Sequence, residues 1–316
     1  MKKGKGEAGR GKGAASHSSP FPVSPVLSLR VPASTSNLGA GFDCLGLALD
    51  LWLTVSLVKG DGAPAYTGTL PSLFPAEDLI LKSMDGVPLG FRLEAHSDIP
   101  VGVGLGSSAA ATVAGLALAD LVAGKKLDLD RVFRRAAAVE GHPDNAAPAT
   151  YGGLILAAAS PLKLKLHSSI APAFAIPKKG IDTKKARAML PNEVPKGVVI
   201  SQAARAAALV LGLERGDASL IGFGMEDQLA VPHRKSLIEG FDAAVEAGKA
   251  AGAYGVTISG AGSALVAFAP KGKAGAVAKA MAVALHDAVA IVPKVAATGL
   301  TVTGKGEGGR GKGKTG

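Results

Sequence analysis

One cysteine, Cys44, in 316 residues leaves no partner for an internal disulfide. That excludes a disulfide-stapled scaffold and fits a reducing compartment, so a cytoplasmic location is expected. Aromatic residues make up only 4% of the chain, so its core must come from valine, leucine, isoleucine and alanine. Long apolar runs are missing as well. The longest apolar helical stretch, Ala109 to Val122, carries Asp120 and is too short to span a bilayer. No membrane partner is expected. The N-terminus has lysines without an apolar segment behind them, so it does not read as a secretory signal. Asparagine is scarce too, and its three occurrences are Asn37, Asn145 and Asn192. The loops therefore do not use it as filler, and two of the three fall in segments singled out below.

The net charge of +10 is concentrated at the ends. Residues 1–22 carry +4 and residues 304–316 carry +3, which leaves the remainder close to neutral. Both ends repeat glycine and lysine and cannot bury apolar surface, so they are expected to be disordered basic tails. No aromatic residue is interleaved for base stacking, so they fit solubility rather than nucleic-acid recognition beyond non-specific contacts. Gly308 to Thr315 formally matches a nucleotide P-loop, but only Gly316 follows and no helix can begin there.

Between the tails, strands and helices mix without strict alternation, which predicts two α+β domains, at 23–165 and 166–303. In the first, strands are expected at 26–31 (ended by Pro32), 45–58, 91–95 and 152–159. Its helices are expected at 107–122 and from about 128 to 140. In the second, strands are expected near 171–176, 256–259, 264–269 and 295–302, with helices near 182–190, 201–213, 234–250 and 272–286.

The most informative segment is Pro100-Val-Gly-Val-Gly-Leu-Gly-Ser-Ser-Ala-Ala-Ala111. Glycines at 102, 104 and 106 permit close approach to the main chain, and the helix opening near Ser107 aims free N–H groups into the loop. A glycine loop feeding a helix N-terminus is a phosphate site. The segment resembles the phosphate loop of the GHMP kinases, not the P-loop, because no Gly-Lys-Ser/Thr follows the glycines. Further segments match that family: Val31 to Asp43, Glu140-Gly-His-Pro-Asp-Asn-Ala-Ala-Pro148, Asp182 to Pro191, Glu226 to Arg234, and Thr257-Ile-Ser-Gly-Ala-Gly-Ser263. Within the family the combination is most similar to the members that phosphorylate homoserine.

The resemblance covers roughly residues 26–303 and implies a two-domain fold. Its N-terminal part would be like ribosomal protein S5 domain 2 and its C-terminal part ferredoxin-like. It implies ATP with Mg²⁺ as cofactors and L-homoserine as the small-molecule partner, giving O-phosphohomoserine for threonine synthesis. A homodimer is the candidate assembly. Pro100, Gly102, Gly104, Leu105, Gly106, Ser107, Ser108 and Ala109 would form the nucleotide-phosphate site. Ser108 and Glu140 are candidate metal ligands, since Mg²⁺ takes one or two protein oxygens beside the phosphates. Asn37 and Asn145 would address the substrate hydroxyl end, Asp43 its ammonium, and Arg187 and Arg234 its carboxylate, with Gly260 nearby. Thr183 would lie by the transferring phosphate, and Asn145, unable to take a proton, implies that no side chain acts as general base.

Three departures accompany the match. Ser263 stands where the family usually has proline, Asp78 stands where an asparagine is expected near the adenine, and the stretch from Asp78 to Phe91 is short. Two alternatives remain: a kinase of this family for another small alcohol, of the mevalonate or shikimate type, and a polyanion-binding protein on a degenerate kinase fold.

Overall fold

The computed structural model describes residues 26–70 and 78–305. The tail segments 1–22 and 306–316 lie outside the described residues.

The first sheet is built on two long strands, β1 (Leu27–Asn37) and β2 (Gly41–Lys59). Both are buried along most of their length, β1 almost throughout. β3 (Ala65–Gly68), α1 (Leu79–Met84) and β4 (Phe91–Ser97) follow, and then three helices: α2 (Ser107–Val122), α3 (Leu129–Glu140) and α4 (Ala146–Tyr151). Two short strands, β5 (Leu154–Leu156) and β6 (Leu162–Leu164), extend the sheet beside the first half of β2. Pro32 does not end the first strand. It sits where the β1–β2 register shifts, a bulge that tolerates a residue without an N–H, so the strand runs on to Asn37. The polar segment Ala33–Asn37, beyond the expected strand end, is therefore strand. α2 is apolar nearly all round and crosses α1 closely: a Cβ on Gly115 would lie 2.4 Å from the Ile80 carbonyl oxygen.

The second sheet contains β7 (Ile170–Pro177), β8 (Gly255–Ile258), β9 (Leu265–Pro270) and β10 (Ala288–Ile291). Its order is β10-β7-β9-β8 and all neighbours are antiparallel. Helices α5 (Thr183–Ala188), α6 (Lys196–Arg215), α7 (Ala218–Met225), α8 (Val231–Arg234) and α9 (Phe241–Ala250) connect β7 to β8, and α10 (Ala274–Ala284) connects β9 to β10. Strand, helical crossover, hairpin, helix and strand make the ferredoxin-like arrangement. Both faces of this sheet are buried. Ala173, Ala175, Leu265 and Ala267 pack with α9 and α10, while Phe174, Val266 and Phe268 join the large core shared with the first sheet.

Several elements differ from the sequence reading. The stretch 234–250 is not one helix: a short turn ends at Leu237, Ile238 is extended, and Gly240 at φ 76° caps the start of α9. The stretch 152–159 yields only the three-residue β5. α6 is longer than expected, at 20 residues, and its mean hydropathy of 1.4 would suit a bilayer. It packs along α7 instead, and Arg205 within it pairs with Glu226 at 2.9 Å. The strand expected at 295–302 within the second unit lies at β11 (Thr301–Lys305), where it pairs with β1. The chain thus returns to its first sheet, and residues 304 and 305 complete that strand instead of starting a tail.

A chain ending at Lys305 should keep the full-length thermal midpoint. One ending at Leu300 uncovers β1, whose Leu29 and Val31 are fully buried, and should lose at least about 2 kcal/mol. Equal midpoints for the two truncations would show that β11 contributes nothing to the first sheet.

Candidate active site

The glycine loop between β4 and α2 is shaped by what it touches. A Cβ on Gly104 would lie 2.1 Å from the Ser259 carbonyl oxygen, and one on Gly106 would lie 2.1 Å from Ser34 Oγ. Gly106 is the N-cap of α2, and the first helical bond runs from the Ala110 N–H to the Gly106 carbonyl at 2.9 Å. The N–H groups of Ser107, Ser108 and Ala109 therefore point out of the helix end, where an anion binds best. Leu105 faces the other way: its side chain is buried in the core and its carbonyl accepts the Ser34 N–H at 3.1 Å. Leu105 and Pro100 are outside the lining, whereas Gly102, Gly104, Gly106, Ser107, Ser108 and Ala109 line a cleft of about 340 Å³.

Across the cleft mouth, Ser108 Oγ donates to Glu140 Oε1 at 2.8 Å, and Thr112 Oγ1 donates to the same oxygen at 3.1 Å. Glu140 closes α3, so its carboxylate sits at the negative end of a helix dipole, which disfavours it. Two hydroxyls hold it there beside the phosphate loop. A hydroxyl and a carboxylate oxygen are hard donors, and that set fits Mg²⁺.

Asn145 and Asn37 are held by both ends of their amides. Asn145 Oδ1 accepts from Ser34 Oγ at 2.9 Å, and its Nδ2 donates to Ser36 Oγ at 2.8 Å. Asn37 Nδ2 donates to the Gly260 carbonyl at 2.8 Å, while its Oδ1 accepts the Asp43 N–H at 2.9 Å. Each amide keeps one N–H and one lone pair for a ligand. Asn37, Leu38 and Asp43 all have positive φ, at 69°, 53° and 55°. Such strain costs on the order of 1–3 kcal/mol per residue and gathers at functional sites.

Facing these amides is a charged clamp. Arg187 of α5 makes a two-pronged pair with Asp43, Nη2 to Oδ1 at 2.7 Å and Nη1 to Oδ2 at 3.2 Å. Arg234, at the end of α8, is 3% exposed and donates from Nε to the Ala186 carbonyl at 3.0 Å. Both guanidiniums lie over the Phe42 ring, 5.9 Å and 5.2 Å from its centroid. Burial lowers the Arg234 pKa and the neighbouring Arg187 pushes the same way, while Asp43 and Asp227 oppose them. Thr183 and Lys184 complete this wall of the cleft.

His142 and Asp144 form a pair beneath the clamp, Nδ1 to Oδ1 at 2.6 Å, and Asp144 Oδ1 also accepts the Asn145 N–H at 3.0 Å. Burial depresses the His142 pKa, but the hydrogen bond and charge of Asp144 outweigh it and the net shift is upward. Asp78 takes a local task. It caps α1 by accepting the Ile80 and Leu81 N–H groups at 2.8 and 3.1 Å and also receives the Tyr66 hydroxyl. Burial raises its pKa against those two backbone bonds. Ser263, standing in place of proline, donates to the Lys179 carbonyl at 2.5 Å and so ties the glycine turn to the segment before α5.

The family model described as GHMP kinases N terminal domain matches residues 76–153, and the one described as GHMP kinases C terminal matches residues 209–286. A homoserine kinase of Trichormus variabilis is 38% identical over 279 residues, covering 83% of this chain and 92% of its own length. The chain belongs to the GHMP kinases, in the family of the homoserine kinases. A homoserine kinase of Thermus thermophilus is likewise 38% identical, over 80% of this chain and 90% of its own. The homoserine kinase structure from Cytophaga hutchinsonii superposes with a TM-score of 0.74 at 30% identity, covering 88% of this chain and 97% of that one. The mevalonate kinase of L. major, at 16% identity and a TM-score of 0.61 over 86% of this chain and 96% of that one, shares the fold.

Several residues that build this GHMP kinase site were not apparent from sequence. Ser34 and Ser36 fix Asn145, and Ser259 donates to the Gly104 carbonyl at 2.6 Å while contacting Thr35 Oγ1 at 2.8 Å. Phe42 carries both arginines. The available signal was a Ser-Thr-Ser run inside an otherwise apolar strand, where a polar face asks for a partner.

The raised His142 pKa sets a sign for pH dependence. Charged His142 favours the folded state, so its contribution is full below the ordinary value of 6.5 and is lost as pH rises through the raised value. The stability difference between the wild type and His142→Asn should be largest near pH 5.5 and shrink towards pH 8.5, as read from thermal midpoints. A gap independent of pH would remove the Asp144 pair as its source.

Proposed function

We propose that this kinase transfers the γ-phosphoryl group of ATP to the side-chain hydroxyl of L-homoserine, giving O-phospho-L-homoserine for threonine synthesis in the cytoplasm. The observation that carries the reading is the Asp43–Arg187 pair beside Arg234 and Phe42. A zwitterion can enter that pair by exchange, its ammonium taking Asp43 and its carboxylate taking Arg187 and Arg234. Every charge then keeps a partner. A monoanionic alcohol such as mevalonate would occupy the arginines and leave Asp43 unpaired, which costs stability in a partly desolvated site. The 38% identity to homoserine kinases over most of the chain supports the same substrate.

In this reading the loop 102–106 and the open N–H groups of α2 hold the ATP phosphates. Ser108 and Glu140 would hold Mg²⁺, which supplies charge neutralisation at the phosphates. Asn37 and Asn145 direct the acceptor hydroxyl with their remaining amide valences, and Thr183 faces the phosphoryl group from the opposite wall. Phosphoryl transfer asks mainly for in-line positioning and charge stabilisation. Among the described residues of the cleft this reading assigns no general base. Asn145 cannot take a proton, and the adjacent carboxylate, Asp144, is engaged by His142 and by the Asn145 N–H. The hydroxyl proton leaves late, to the phosphoryl oxygens.

Arg187→Ala should lower kcat/KM for homoserine by roughly 30- to 1000-fold, the effect of about 2–4 kcal/mol for a lost carboxylate contact. Unchanged kcat/KM in a coupled ADP-release assay would refute that assignment. Asn145→Asp should not raise kcat at neutral pH. An increase would show that a carboxylate base helps and that the base-free route is wrong.

A further inference from the structure

Behind the clamp lies one buried hydroxyl without a protein partner. Thr257 Oγ1 on β8 has no hydrogen bond to any described residue, although Thr257 is only 1% exposed. Its neighbours Val256 and Ile258 point into the core beneath α9 and α10, so Thr257 faces the opposite side of the strand, towards Asn37 and Arg234. There it borders a small cavity, together with Asn37, Asp227, Arg234 and Gly260, that offers roughly 10 Å³ to a water-sized sphere. That is room for a bound water.

The polar groups around this space are unevenly satisfied. Asp227 is 8% exposed; Oδ1 accepts from Gln202 Nε2 at 2.6 Å and the Leu229 N–H at 3.1 Å, and Oδ2 from the Ala230 and Val231 N–H groups at 2.7 and 2.6 Å. Those last two bonds hold the start of α8, the four-residue helix that ends at Arg234. Arg234 spends Nε on the Ala186 carbonyl, and its guanidinium has four further N–H donors. A buried hydroxyl left unmatched is destabilising, and a water with two or more polar partners removes that cost.

We propose that this cavity is a one-water site that fastens the Arg234 guanidinium to the Thr257 hydroxyl. Thr257 is then a positioning residue of the clamp: it touches no substrate and sets the angle at which Arg234 meets the substrate carboxylate. The water accepts from Arg234 and shares a hydrogen bond with Thr257 Oγ1, whereas the four lone-pair sites of Asp227 are already filled. Thr257 and Asp227 also border the wider groove between α7 and α9, which gives the water a route in from solvent.

The inference rests on the homoserine reading only for its kinetic arm. Thr257→Val keeps the branched shape that suits a strand and removes the hydroxyl alone. The KM for homoserine should rise about 5- to 10-fold, with the KM for ATP and the thermal midpoint unchanged, and Thr257→Ser should restore the wild-type KM within about twofold. If the hydroxyl is simply unmatched, Thr257→Val raises the midpoint and leaves KM alone, and the proposal falls. The structural arm needs no substrate. A high-resolution crystal structure of the wild type should show an ordered water within hydrogen-bond distance of Thr257 Oγ1 and Arg234, lost in Thr257→Val. Its absence from the wild type overturns the proposal. A wild type that binds this water but does not phosphorylate homoserine would overturn the substrate reading instead.

Discussion

The glycine turn of the second sheet presses directly against the phosphate loop of the first, and the site depends on that contact. Ser259 reaches the Gly104 carbonyl at 2.6 Å, Ala264 donates to the Val103 carbonyl at 2.9 Å, and Gly260 donates to the Ser36 carbonyl at 3.1 Å. Approach this close is open only to a loop without a side chain at residue 104. The same contact fixes Asn37 through Gly260 and buries the Ser34–Asn37 end of β1. Polar strand residues that would be costly inside one domain become the connectors between two.

That seam orders charge as well as shape. The phosphate side presents helix N–H groups, Ser108 and Glu140, and the far side presents two arginines and Asp43. The arginines come from α5 and α8, elements of the second unit, while Asp43 and Phe42 come from β2 of the first. Neither unit holds the clamp alone. The pair between Asp43 and Arg187 fastens the units together, and in the proposed function it is the pair that the substrate opens.

Some of this was legible from residue order. The glycine loop and the helix after it are adjacent in sequence, so their geometry follows from local rules. Glu140 and Ser108 were matched through the family resemblance, and they meet at 2.8 Å because α2 and α3 pack antiparallel. Other features depended on distant partners. Pro32 reads as a strand stop unless the bulge opposite Trp52 is known. Residues 295–302 read as one strand of the second unit, yet the chain pairs again only at Thr301, beside β1. Short edge strands such as β3 and β6 carry too few residues for a periodic signal.

Composition and local pattern alone determined a two-part α+β chain and a glycine loop feeding a helix, and the resemblance to the GHMP kinases marked which amides, arginines and carboxylates to suspect. These are local properties: a glycine's freedom, a helix end, a hydroxyl beside a carboxylate. Only tertiary structure decided how the charges are shared. It joined Asp43 to Arg187, put Arg234 over Phe42 with Thr257 behind it, and assigned Ser34 and Ser36 to Asn145. All of these but the placement of Thr257 behind Arg234 cross 100 or more residues of chain. They depend on which faces two sheets bury against one another, and no window of sequence contains both partners.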